Sequence, residues 1–217
     1  MTRMSMVSRA QAAVFAICVA GAVALPSAAA AQSSAAASWR LAAAVGAYVP
    51  RSAMIVADAG RDTQLGAGPS ISLEVHFLAA DWAAIYGGGL AAFSAVALGA
   101  NLDPPMAGSS DQVTLLAFTG GVVLALPTGT NLEPTLRLGG GIKGYSFDLD
   151  AAEGQWRPTG DFGVGLRGLG SGPIEVSVEG RYLPSSFDQA KLPTRGITPQ
   201  EQRQTDLLFV VGVSIRP

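Results

Sequence analysis

The chain has 217 residues and a formal net charge of −2, with 14% charged residues, 49% hydrophobic residues, 27 glycines and one cysteine. The charged fraction falls well below the roughly 25% of an average soluble domain, and without a basic stripe the chain has no nucleic-acid-binding surface. Beyond the N-terminal segment no apolar run is long enough for a helical span. The remaining way to combine low charge with membrane residence is to cross with strands, of which only the outer face must be apolar.

Arg3 and Arg9 give a positive start, Val14 to Leu25 forms an apolar run closed by Pro26, and Ser27 to Gln32 offers small-residue cleavage sites. This order reads as a secretory signal peptide over 1–31 with cleavage near Ala31. A transmembrane helix needs roughly 20 apolar residues, and this run is shorter. Cys18 lies inside the apolar run, preceded by Ile17, so it is not a lipidation site, and the mature chain has no thiol for a disulfide or a metal. Residues 32–38 form a short leader, and 39–217 form one domain.

Eight strands follow. Residues 39–49 set Trp39, Leu41 and Val45 on one parity and Arg40 and Tyr48 on the other. Residues 69–78 alternate Ile71, Leu73, Val75 and Phe77 with Ser70, Ser72, Glu74 and His76. Residues 82–95 are rich in Gly and Ala with poor alternation, and 112–126 are apolar on both parities. Residues 132–147 oppose Leu136, Leu138 and Ile142 to Glu133, Thr135, Arg137 and Lys143. Residues 157–168 set Phe162, Val164 and Leu166 against Asp161 and Arg167. Residues 174–183 alternate Ile174, Val176 and Val178 with Glu175, Ser177, Glu179 and Arg181. Residues 205–216 place Leu207, Phe209, Val211, Val213 and Ile215 on one parity, with Asp206 and Ser214 on the other. This is the two-residue period of strands with one apolar and one polar face.

The connections alternate in length. Those at 50–68, 98–111, 148–156 and 184–204 are long, and those near 79–81, 127–131 and 169–173 are short. Outer-membrane barrels segregate short periplasmic turns from longer outer loops. An exported chain starts in the periplasm, so its first connection should be outside and long, as it is here.

On these features residues 39–216 resemble the small eight-stranded outer-membrane barrels of OmpA/OmpX type. In that family the last strand carries a Gly among alternating aromatics and closes on an aromatic. Gly212 fits, whereas Ile215 and Pro217 stand where aromatics would fall. The resemblance implies an all-β, antiparallel, up-and-down transmembrane barrel. Its partners would be outer-membrane lipids and the barrel-assembly machinery, its state would be monomeric, and it would need no cofactor.

Parity then predicts the interior. If the apolar face meets lipid, the lumen holds Arg40, Glu74, His76, Glu133, Arg137, Lys143, Asp161, Arg167, Glu175, Glu179, Arg181 and Asp206 as a structural charge network. Near-balance of sign is what a closed interior requires, because an unpaired buried charge is costly. Trp39, Trp82 and Tyr182 near strand ends suit interfacial girdles.

Candidate chemistry is sparse. Gly163 to Gly168 matches G-x-G-x-x-G but lies inside a strand, without the following helix that dinucleotide binding needs. Glycines 87–89 and 139–141 read as places where strands crowd or lumen side chains need room. His76 shares its parity with Ser70, Ser72 and Glu74, which leaves a hydrolase conceivable, although Leu78 breaks the His-x-Ser pair of outer-membrane lipid-A deacylases. Asp148 and Asp150 with Glu153 could hold Ca²⁺ weakly, but the EF-hand spacing is absent. The expected function is a non-catalytic, surface-loop-presenting barrel with a filled polar lumen. The alternatives are a soluble lipocalin-like barrel with an apolar ligand and a narrow pore for small solutes.

Overall fold

The computed structural model describes residues 39–55, 63–95, 112–148, 153–169, 173–191 and 201–215. The predicted signal peptide and leader lie outside them. In chain order the strands are β1 (Trp39–Pro50), β2 (Ala53–Ile55), β3 (Thr63–Gln64), β4 (Gly68–Ala80), β5 (Ala83–Ala95), β6 (Gln112–Ala125), β7 (Leu132–Phe147), β8 (Gln155–Leu169), β9 (Ile174–Asp188) and β10 (Glu201–Ile215). β1 and β4 to β10 form one closed antiparallel barrel in sequence order. Closure is made by β1, where Val45 faces Val211 of β10 on one side and Ile71 of β4 on the other. Each barrel strand therefore has a ladder on both sides, and no edge is left to recruit another chain.

The faces are inverted relative to a water-soluble core. Val45, Val164, Val178 and Phe209 are 62%, 65%, 55% and 56% exposed, whereas Lys143, Asp161 and Asp206 are 0% exposed. Large apolar side chains cover the outside of all eight barrel strands, from Leu41 on β1 to Ile215 on β10. Water disfavours such a surface at roughly 25 cal/mol per Å² of apolar area, and a lipid hydrocarbon layer does not.

The outward faces of β9 and β10 mark where that layer ends. Past Pro184 and Leu207 the outward residues become Ser186, Asp188, Thr205, Arg203 and Glu201, yet pairing continues to Glu201 opposite Asp188. Apolar alternation stops at 184, which predicts a loop over 184–204. The ladder in fact runs on above the apolar band into a 3₁₀ turn at Gln189–Lys191. The short β2–β3 pair within the first long connection also went unread, since strands of two or three residues carry no period. Trp82 belongs to the turn before β5.

The turn between β6 and β7 shows why its composition was readable. Gly129 has φ 71°, a backbone conformation that glycine adopts at little cost. The hydroxyls of Thr128 and Thr130 donate to the Leu132 carbonyl at 2.6 and 3.0 Å.

A charge on the outer face tests this orientation. Val176→Arg should cost about 2–4 kcal/mol if Val176 faces mid-bilayer, read as lower urea stability in lipid vesicles. Ser186→Arg, above the apolar band, should be near neutral.

The barrel interior as the candidate functional site

Inward parity brings the predicted charged residues together in three groups. At mid-height, Arg137 of β7 donates from Nε to Glu179 of β9 at 2.7 Å and from Nη2 to Glu74 of β4 at 2.8 Å. Arg181 of β9 grips Asp161 of β8 with two nitrogens, at 3.1 and 2.6 Å, and reaches Glu74 at 2.7 Å. Tyr86 of β5 donates its hydroxyl to Asp161 at 2.8 Å, and its ring lies 4.1 Å beneath the Arg137 guanidinium. His76 meets Glu74 through Nε2 at 3.0 Å. Five strands on different sides of the barrel are thereby joined across its axis.

Towards the short turns, Arg40 of β1 pairs with Glu175 of β9 at 2.8 Å, and Arg167 of β8 pairs with Glu133 of β7. Between this group and the central one lies a cavity of about 70 Å³ whose lining includes Ser72, Thr135, Ser177 and Ser214. It is polar and large enough to hold water.

Towards the long connections apolar side chains join buried polar ones such as Gln155, Thr159 and Gln204. Tyr48, Leu90, Leu115, Tyr145, Leu183, Phe187 and Leu208 are at most 5% exposed and form an apolar layer. The Tyr145 and Phe187 rings meet edge to face with centroids 5.4 Å apart. Within this layer Lys143 and Asp206 pair at 2.5 Å, Tyr48 and Tyr145 donate to the same carboxylate at 2.8 and 3.0 Å, and Lys143 also donates to the Leu183 carbonyl at 3.0 Å. The filled, charged lumen expected from parity is present, and an apolar layer is added to it on the side of the long connections. Inward Val113, Leu115 and Ala117 explain why β6 reads as apolar on both parities.

The glycine motifs serve this interior. A Cβ on Gly163 would stand 3.1 Å from a Glu179 carboxylate oxygen and 3.3 Å from the Arg137 side chain, and one on Gly165 would stand 2.9 Å from the Thr135 hydroxyl. A side chain at Gly139 would overlap the Tyr86 hydroxyl on its way to Asp161. His76 has Glu74 as its hydrogen-bond partner, with the Tyr86 ring at 6.1 Å, and none of the hydrogen bonds among the described residues joins it to a serine. The candidate Ca²⁺ loop lies outside the described residues except for its exposed ends. At one of these, Glu153 pairs with Lys191 and raises the pKa of that ammonium. No group of acids, histidines or cysteines among the described residues has the arrangement of a metal site.

A closed eight-stranded up-and-down barrel with an apolar exterior and a charged interior defines a class, the small membrane-spanning β-barrels. Several solved structures are similar to this chain, and the first, with a TM-score above 0.5, shares the fold. The crystal structure of Neisserial surface protein A matches with a TM-score of 0.53 at 13% identity, over 85% of this chain and all of that one. The outer membrane protein AlkL, determined in lipid bilayers, matches with a TM-score of 0.49 at 16% identity over 86% of this chain and 94% of its own. Ail of Yersinia pestis gives 0.40 at 11% identity over 82% and 98%. No protein-family model and no curated protein matches the sequence.

The buried Lys143–Asp206 pair gives a test of the interior. Asp206→Leu leaves a buried ammonium without its counter-charge and should cost about 3–5 kcal/mol, while adding Lys143→Met should restore much of the loss. Urea titration of the folded barrel in vesicles measures both variants.

Proposed function

We propose that this chain is a small integral protein of the bacterial outer membrane, exported by its N-terminal segment, with a closed structural barrel that presents four long connections on one side. The observation that carries the reading is the inversion of faces, with apolar residues around the whole exterior and ion pairs across the interior. Outer-membrane lipids solvate the exterior, the barrel-assembly machinery inserts the chain, and the barrel acts as a monomer.

A lipocalin-like carrier needs the opposite distribution, an apolar cavity inside and a polar surface outside. A narrow pore needs a continuous polar path, and the layer of Tyr48, Tyr145, Phe187 and Leu208 occupies the section where that path would emerge. The Ser-His-acid hydrolase considered above needs a serine hydrogen-bonded to its base, and His76 is instead engaged with Glu74. No reaction is therefore assigned to the interior.

Two measurements check this function. The protein should resist carbonate extraction from membranes and change its gel mobility on boiling. In planar bilayers it should give no sustained conductance. Release by carbonate would overturn membrane residence, and steady single-channel steps would overturn the closed lumen.

A further inference from the structure

The outward face of β9 reads Ile174, Val176, Val178, Gly180, Tyr182, and the glycine interrupts an otherwise apolar run. A glycine inside a strand weakens it and usually marks a close approach of backbone. Gly46, Gly121 and Gly141 are of that kind, since a Cβ on each would run into a neighbouring carbonyl. Gly180 is different. Its Cβ would meet the Phe209 ring at 3.8 and 3.9 Å and the Val164 carbonyl at 4.0 Å, which are ordinary contacts. Nothing in the packing of the barrel demands a glycine there.

Over Gly180 lies a hollow of about 310 Å³ on the outer wall, walled by Leu136, Leu138, Phe162, Val164, Tyr182 and Phe209. It lies just below the level where the outward faces of β9 and β10 turn polar. At that rim stands Arg203, exposed, with a guanidinium nitrogen 3.5 Å from the Tyr182 hydroxyl. Nearby Arg157 is paired with Asp188 at 3.3 Å, whereas none of the ion pairs among the described residues includes Arg203.

We propose that the hollow over Gly180 and the Arg203 guanidinium together form a site for one phospholipid of net negative charge in the leaflet on the long-connection side. The inference rests on the membrane-spanning reading above. The two parts match the two ends of such a molecule. The apolar hollow takes a length of acyl chain that would otherwise leave a void against the wall, and the guanidinium offers a planar set of donors to phosphate oxygens. Tyr182 spans both parts, with its ring in the wall and its hydroxyl at the cation.

The test uses the full barrel in vesicles of equal parts phosphatidylglycerol and phosphatidylcholine, extracted in mild detergent and weighed intact by mass spectrometry. The wild type should retain one phosphatidylglycerol. Gly180→Leu, which puts a branched side chain on the floor of the hollow, should retain markedly less. Arg203→Gln should keep a lipid but lose the preference for phosphatidylglycerol over phosphatidylcholine. Equal retention by Gly180→Leu and wild type would overturn the proposal, as would an unchanged preference in Arg203→Gln or a mass of two chains bridged through this wall. Failure of the wild type to float with the vesicles would instead overturn the membrane reading on which the site depends.

Discussion

Everything in this molecule depends on giving each backbone N–H and C=O a partner within the chain. In hydrocarbon there is no water to accept them, and each orphan costs several kcal/mol, so a sheet can cross only if it closes. Closure through β1, paired to β4 and β10 at once, meets that requirement. It also fixes parity. Once the ladder is closed, alternate residues point either into lipid or into an interior only wide enough to be filled by side chains.

The interior follows from that narrowness. Removing charges from water costs several kcal/mol per ion and is offset only by good geometry and multiple hydrogen bonds. The mid-height group meets this condition through convergence. Glu74 is held by Arg137, Arg181 and His76, while Asp161 is held by Arg181 and Tyr86. Because the partners come from β4, β5, β7, β8 and β9, the group braces opposite walls. Nearer the long connections an apolar layer replaces it, with one ion pair capped by two tyrosines. The same cross-section is thus filled by two different chemistries at two heights.

Legibility in the sequence tracks the membrane. β9 was readable residue by residue from Ile174 to Tyr182 because that stretch crosses the apolar band, where one face must be apolar and the other cannot be. Above the band both faces may be polar, so the continuation to Asp188 and the start of β10 at Glu201 carried no period. β6 was ambiguous for the opposite reason, since the inward apolar layer made both of its faces apolar. The inward charged set could be listed from parity alone. Its pairings could not, since Arg181 finds Glu74 across 107 positions of sequence only after closure. Parity sets Tyr48 with Arg40 but leaves it outside the set of interior charges, and Tyr145, which shares parity with Lys143, goes unnamed because neither tyrosine is charged. Tyr86 sits in the Gly-rich strand whose alternation is weakest.

The central claim is that apolar parity faces lipid. The most direct measurement is a nitroxide scan of single cysteines from 174 to 182 in vesicles, on a Cys18→Ser background, comparing collision with oxygen and with a water-soluble nickel chelate. The account predicts a period of two, with 176, 178 and 180 accessible to oxygen and 177 and 179 accessible to neither reagent. The reverse pattern, with odd positions open to nickel and even positions shielded, would contradict it.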